Sequence, residues 1–383
     1  MKKLYLFLIL ASAAINAQTF EWLQTPPITF SMNPNMLSYA TVCDPAGNVY
    51  LSGFKDGAFP YTEILGNLYF NKYSSNGSEV FSKTITGKAF IYNMVSDHDG
   101  NIIMALGSYG ALTVDETVLT DADTEMHFVL VKLDSEGSLL WYDELMINNN
   151  GFLYVSDFKG LAVDAQNNIY AGYDSYSICR ITKYSPQGTA LMTINQTNVS
   201  RITSIGVDDA GDIFAAGSCA SGQLAIFNGV IAPSQLQYNT YIVKYSQFGA
   251  YQWVKFVDDV TCSEPRVAVS SENAIYFSSY LYGDFMFGDI QADGPGGVGS
   301  DFFLAKLDGN GNYQWVREVP GAGIADLGRS NYLNVDNFGN IYISGSTDGA
   351  TNWGNGQETG PGPRRSLLLK YNPEGNVLSA TTA

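Results

Sequence analysis

The sequence predicts an all-β fold, a β-propeller of about six four-stranded blades, and three observations predict it. A lysine is followed five residues later by a glycine six times: Lys72/Gly77, Lys132/Gly137, Lys183/Gly188, Lys244/Gly249, Lys306/Gly311 and Lys370/Gly375. Their spacings of 60, 51, 61, 62 and 64 residues are those of an array or a closed ring of sheets. Upstream of each lysine stands a second signature, such as Val335-Asp336-Asn337-Phe338-Gly339-Asn340-Ile341-Tyr342. Helical periodicity is almost absent, while Tyr, Phe and Gly are abundant (25, 21 and 39 residues), a balance that suits short aromatic strands and turns.

Taken in order, Lys2 and Lys3, the apolar run Leu4 to Ala14 and Ile15-Asn16-Ala17 have the anatomy of a secretory signal peptide over residues 1–17. The eleven-residue run is too short to span a bilayer. Residues 18–383 then read as one propeller. Phe20-Glu21-Trp22-Leu23 resembles an outer strand and is a candidate closing strand for the ring. Blades are expected at about 38–85, 91–146, 158–195, 201–257, 264–318 and 330–383. The sixth has its own outer-strand candidate at Asn376 to Thr382, so a longer chain with seven blades is a further expectation.

Within each blade one strand precedes the aspartate turn and one follows its glycine; a third carries the lysine and a fourth a bulky residue. That residue is Phe81, Trp141, Met192, Trp253 or Trp315, with Ser379 in the last copy. Aspartate accepts hydrogen bonds from the amides of the turn it opens, and glycine supplies the left-handed reversal. The repeated aspartates are Asp44, Asp97, Asp164, Asp208 and Asp336, with Ser270 in the fifth copy. Both repeated turns fall on one face, so each lysine is expected beside its aspartate as a structural tie.

Without the leader the net charge falls from −17 to −19. Such acidity disfavours nucleic acid and anionic membrane surfaces as partners. Of the four cysteines, Cys43 and Cys179 lie in strand-like runs and read as buried thiols; Cys219 and Cys262, in neighbouring loops, are the disulfide candidates.

Function is expected on the opposite face, where the connections between second and third strands differ in every blade. Trp353, Tyr280, Tyr282, Tyr173 and Tyr176 are candidates for stacking on a sugar or peptide, or for capping a loop. Arg364 and Arg365 would clamp a carboxylate or stand solvated. Calcium is the one cofactor suggested, by Asp115, Asp121 and Asp123 and by Asp284, Asp289 and Asp293, although no EF-hand spacing is present. With two histidines and no nucleophile elbow or phosphate loop, no catalytic residue is nominated.

The core Val-Asp-x-x-Gly-Asn-Ile-Tyr-x-x-Gly at 335–345, with Phe-x-x-Lys-Leu-Asp-x-x-Gly-x-x-x-Trp at 302–315, resembles the SBBP-type propeller repeats and, over its first half, NHL repeats. With its leader, the chain looks like exported Bacteroidetes surface proteins, which frequently end in a type IX secretion sorting domain. The resemblance implies a secreted or surface-attached module binding a protein or polysaccharide. A polysaccharide lyase or glycoside hydrolase with acids near the channel is the alternative, and a structural module of a longer adhesin is a third.

Overall fold

The computed structural model describes residues 22–24, 39–58, 65–149, 152–153, 155–175, 178–219, 222–236, 238–259, 264–294, 301–321, 323–328 and 331–383. The expected leader, Tyr176 and Cys262 lie outside the described residues. Every regular element described is a strand, and every ladder is antiparallel.

Among the described residues six units of the repeat follow one another. Unit one holds Tyr39–Cys43, Val49–Ala58, Leu65–Tyr73 and the first part of Glu79–Ser96. That last strand runs on without interruption to become the first strand of unit two, ahead of Ile102–Val114, Met126–Leu133 and Leu139–Glu144. Unit three is Asp157–Val163, Ile169–Ser175, Ile178–Tyr184 and Ala190–Thr197. Unit four is Arg201–Val207, Ile213–Cys219, Asn239–Tyr245 and Tyr251–Asp258. Unit five is Arg266–Val269, Ile275–Tyr280, Phe302–Leu307 and Tyr313–Glu318. Unit six opens at Ile324–Leu327 and Leu333–Val335, which pair in tandem with Ile341–Asp348, and continues through Arg365–Tyr371 and Val377–Thr382.

The second strands are buried on both faces, as in Ile169–Ser175 and Ile213–Cys219, because each sheet is covered by its neighbours. The connections on the irregular face carry short hairpins of their own, including Ile226–Phe227/Val230–Ile231, Asp284–Phe287/Ile290–Asp293 and Thr351–Gly354/Gln357–Thr359.

The aspartate turn forms as its chemistry dictates. Asp44 Oδ1 accepts from the amides of Ala46 and Asn48, both at 2.9 Å, and Oδ2 accepts from Asn48 Nδ2 at 2.8 Å. Gly47 takes φ 80°, and Asn167 takes φ 62° where the third copy lacks the glycine.

The lysine meets its aspartate, as expected, in two units, and most copies make a further contact across units. It pairs directly with the repeated aspartate at Lys132–Asp97 (2.8 Å) and Lys183–Asp164 (3.2 Å). Lys244 turns instead to Asp212 (2.8 Å), and Lys72 to Glu136 (3.9 Å). The more general contact crosses to the next unit. Lys72 Nζ donates to Ser135 O, Lys132 to Pro186 O, Lys244 to Gly309 O and Lys306 to Pro373 O, at 2.9–3.3 Å. The lysine ammonium stands over a second-strand ring, as Lys183 Nζ over Tyr170 (5.0 Å) and Lys370 Nζ over Tyr342 (5.2 Å).

The outer-strand tryptophans use the same carbonyls. Nε1 of Trp141, Trp253 and Trp315 donates to Pro186 O, Gly309 O and Pro373 O at 3.0, 3.1 and 3.2 Å. Each indole covers the turn glycine of the following unit, so that a Cβ at Gly188 would stand 2.8 Å from Trp141. Trp22 treats unit one in the same way: its Nε1 donates to Ser75 O at 3.1 Å and its ring lies over Gly77. The candidate closing segment therefore places its indole where a preceding unit's outer strand would, and residues 22–24 carry no ladder pairing.

Cys179 is buried, its Sγ donating to Val199 O at 3.1 Å. Cys43 is exposed, contrary to expectation, because it ends its strand directly before the aspartate turn.

Candidate functional site

First strands run toward the aspartate turns, so their opening residues lie on the irregular face beside the axis around which the units are arranged. Three carry a bulge at the same depth: Tyr92 lies between the paired residues Ile91 and Asn93, Lys159 between Phe158 and Gly160, and Thr203 between Ile202 and Ser204. An extra residue re-aims the local side chains, a device common beside functional sites.

The result is a polar cluster joining units that are not neighbours. Asn93 of unit two donates from Nδ2 to Lys159 O of unit three at 2.8 Å and accepts on Oδ1 from Asn331 Nδ2 of unit six at 2.6 Å. Arg266 of unit five donates from Nη1 to Thr203 O of unit four at 2.5 Å. Lys159 Nζ pairs with Asp157 Oδ2 at 2.9 Å and with Glu264 Oε1; Arg201 Nη1 lies 3.8 Å from the same Glu264 oxygen. Tyr332 supports the floor, its hydroxyl donating to Ser278 O at 2.8 Å and lying 3.1 Å from Glu264 O, which can take the same proton instead.

Beneath the mouth, Asp174 pairs across the sheet with Asp157 and accepts from Ser156 Oγ on Oδ1 at 2.7 Å. Its Oδ2, the Nε of Arg266 and the Oγ of Ser175 are buried and have no hydrogen-bond partner among the described residues. Such orphans are costly unless water or a ligand satisfies them.

Burial first, then the charge of Asp157, pushes the Asp174 carboxyl up to about 7. Burial pulls the Arg266 guanidinium below its ordinary range. Burial opposes the Lys159 ammonium too, but Asp157 and Glu264 outweigh it and hold that group above the usual lysine value.

A carboxyl whose folded pKa is raised favours folding most below its unfolded value. Stability is therefore expected to fall as pH rises from about 4 through about 7, by on the order of 2–4 kcal/mol. Asp174→Asn keeps an acceptor for Ser156 and removes the share of this slope that Asp174 supplies. Chemical denaturation of both proteins between pH 4.5 and 8 checks it, and an unchanged slope in the variant refutes the assignment.

The residues expected to form a site are dispersed. Trp353 is 4% exposed and donates to Thr359 Oγ1 at 3.3 Å, so its ring caps the hairpin over the unit-six core and offers no stacking face. Tyr173 is buried against Phe158 with its hydroxyl on Thr182 (3.1 Å). Tyr280 is half-buried and donates to Leu327 O at 3.4 Å; Tyr282 is half-buried in the connection that follows. Arg364 holds Asp326 and Ser346, and Arg365 holds the carbonyls of Gly349 and Gly360.

The two acidic groups do not converge either. Asp284 faces Asp293 at the open end of a hairpin whose turn carries Asp289. Asp115 accepts from the amide of Leu139, Asp121 is exposed, and Asp123 takes His127 Nε2 at 2.9 Å. Among the described residues no three His, Cys, Asp or Glu side chains are placed to hold a metal ion. Cys219 is buried at the end of its strand, and its pairing with Cys262 remains a proposal.

Sequence reasoning did not single out the axial residues, which occupy a different sequence context in each unit. The signal available was a polar or charged residue four or five places before the turn aspartate position: Asn93, Lys159, Thr203, Arg266 and Asn331.

No protein-family model matches the chain, and no curated protein sequence matches it. Among solved structures it is similar to the K499G mutant of NanB sialidase from Streptococcus pneumoniae, at 9% identity, covering 80% of this chain and 64% of that one with a TM-score of 0.51. It is also similar to the Dos1 propeller (8% identity, 92% and 86% covered, TM-score 0.46). A protein of unknown function from Dyadobacter fermentans DSM 18053 matches at 10% identity, with 89% and 96% covered and a TM-score of 0.46. At such identities likeness speaks to fold alone, and with the ladders described above the chain is an all-β protein of the propeller class.

Proposed function

We propose that this chain is an exported, non-catalytic binding module that holds a polysaccharide at the axial mouth of its irregular face. The observation that carries the reading is the meeting of Asp157, Lys159, Arg201, Glu264 and Arg266 from three units beside Asp174 Oδ2 and Arg266 Nε, both buried and without a hydrogen-bond partner among the described residues. A sugar hydroxyl donates and accepts at once, which suits a mouth where ammonium and guanidinium donors stand beside carboxylate acceptors. On a chain of net charge −17 the mouth gathers cations and acids in near balance, so it does not repel a neutral glycan.

Calorimetric titration with neutral oligosaccharides such as xylohexaose and cellohexaose tests this. Saturable binding is expected, weakened at least tenfold by Arg201→Ala and by Glu264→Gln. Binding indifferent to both changes, or none to any glycan across an array, overturns it.

One observation favours the catalytic alternative. A carboxyl raised to about 7 beside Asp157 is the environment a general acid needs. Turnover of a bound glycan, abolished by Asp174→Asn with binding retained, would convert the module into a hydrolase or lyase.

A further inference from the structure

Between Asp212 and Lys244 the chain contains no Asp, Glu, Lys or Arg, on a protein of net charge −17. That stretch includes the second-to-third-strand connection of unit four, and it carries a group of exposed apolar side chains: Leu224, Val230, Ile231, Leu236 and Tyr238. Ile231 is the most open of them at 60%.

The connection is firmly built. Ile226–Phe227 adds to the outer strand of unit three through Gln196↔Phe227 and Thr197↔Ile226, and Val230–Ile231 folds back on it around Asn228-Gly229. Phe227, Ala225 and Ala232 are buried, Ala225 N donates to Gln235 Oε1 at 2.8 Å, and Asn228 Nδ2 donates to Gly249 O at 2.7 Å. The sheet of unit three thus ends on an edge of Val230 and Ile231. Ala232 N donates to Ala225 O at 2.8 Å, so the alternation of an antiparallel ladder turns the amide and carbonyl of Ile231 outward.

We propose that this edge is a docking surface for an extended apolar segment of another protein. A pair of outward backbone groups asks for a partner with a backbone of its own, which a lipid or glycan lacks. The aliphatic side chains around it ask for apolar ones in return, and the uncharged stretch imposes no electrostatic requirement on them. A second copy is disfavoured because it would bring one strongly acidic molecule against another. The surface is independent of the axial mouth, so failure of either proposal leaves the other standing.

Surface plasmon resonance with two immobilised decapeptides tests it: one alternates valine with serine, and the other has the same sequence with alternate amides N-methylated. The expected result is saturable binding of the first, at least tenfold weaker binding of the second, and a similar loss on Ile231→Lys at an unchanged Tm. Ile231→Thr, which keeps a strand-forming residue, gives a smaller loss and serves if the lysine variant does not fold. Equal binding of both peptides, binding unaffected by either substitution, or no binding at millimolar concentration overturns the proposal. So does a reversible dimer in analytical ultracentrifugation that Ile231→Lys dissolves, because the edge would then serve self-association.

Discussion

Gly217→Ala is expected to destabilise the protein by about 4 kcal/mol or more, enough to prevent folding in a marginal background. A Cβ at this position would stand 2.0 Å from the carbonyl oxygen of Arg201 and 2.7 Å from the hydroxyl of Tyr241. The first contact is with backbone, so no rotamer change relieves it. Gly217 sits opposite Ile202, immediately before the bulge that holds Thr203, and the Arg201 carbonyl also accepts from Tyr241 at 3.1 Å. The added methyl must therefore pry the first strand of unit four from its second, at the strand that carries Arg201 into the axial mouth. Glycine inside a strand marks a close backbone approach of this kind. Urea denaturation of the two proteins measures the effect; a variant within about 1 kcal/mol of the parent contradicts the packing described.

Asp97→Ala is the second large effect, at about 3–5 kcal/mol. Asp97 accepts from the amides of Asp99 and Asn101, from Asn101 Nδ2, and from Lys132 Nζ at 2.8 Å, with both charged side chains almost wholly buried. Removing the carboxylate frees a turn and strands an ammonium whose remaining acceptor is Pro186 O at 3.1 Å. Replacing the lysine as well, in Asp97→Ala/Lys132→Met, should recover part of the loss, because the buried charge disappears. Burial works to raise the Asp97 pKa, but the bonds from Lys132 and Asn101 outweigh it and hold it below the ordinary carboxylate value. Its stabilisation is thus present above that value and lost as pH falls through the folded pKa. Denaturation at neutral and acidic pH should show the parent and variant converging at low pH. A gap that persists unchanged into strong acid contradicts the ion-pair account.

Much of the scaffold was legible because its signals are local. Asp44, Asn48 and Gly47 make their turn among themselves, and the Val335-Asp336 copy does the same with Asn340 and Gly339. Tryptophans at a fixed offset from the turn glycine announced packing between sheets, and Trp141, Trp253 and Trp315 provide it. Asn228-Gly229 and Asn355-Gly356 were equally legible hairpin signals inside connections read as loops, and both close hairpins. The expected tie of lysine to aspartate forms at Lys132–Asp97 and Lys183–Asp164, whereas the carbonyls of the following unit that Lys72, Lys132, Lys244 and Lys306 reach carry no local signal. Trp353 looked like a ligand platform because it stands outside the repeat, and its burial follows from the hairpin that carries it into the core cluster of unit six.

The order of strands, the two recurrent turns and the bulky residue of the first five outer strands follow from the amino-acid sequence alone, since each depends on side chains within about six positions of one another. Which residues meet at the axis does not. Asn93 and Asn331 are separated by 238 positions, and Lys159 and Glu264 by 105, with no motif in common. Their meeting depends on the radial stacking of the sheets and on single-residue bulges in the first strands, so the mouth, with Asp174 Oδ2 and Arg266 Nε left without partners among the described residues, exists only once the units have assembled.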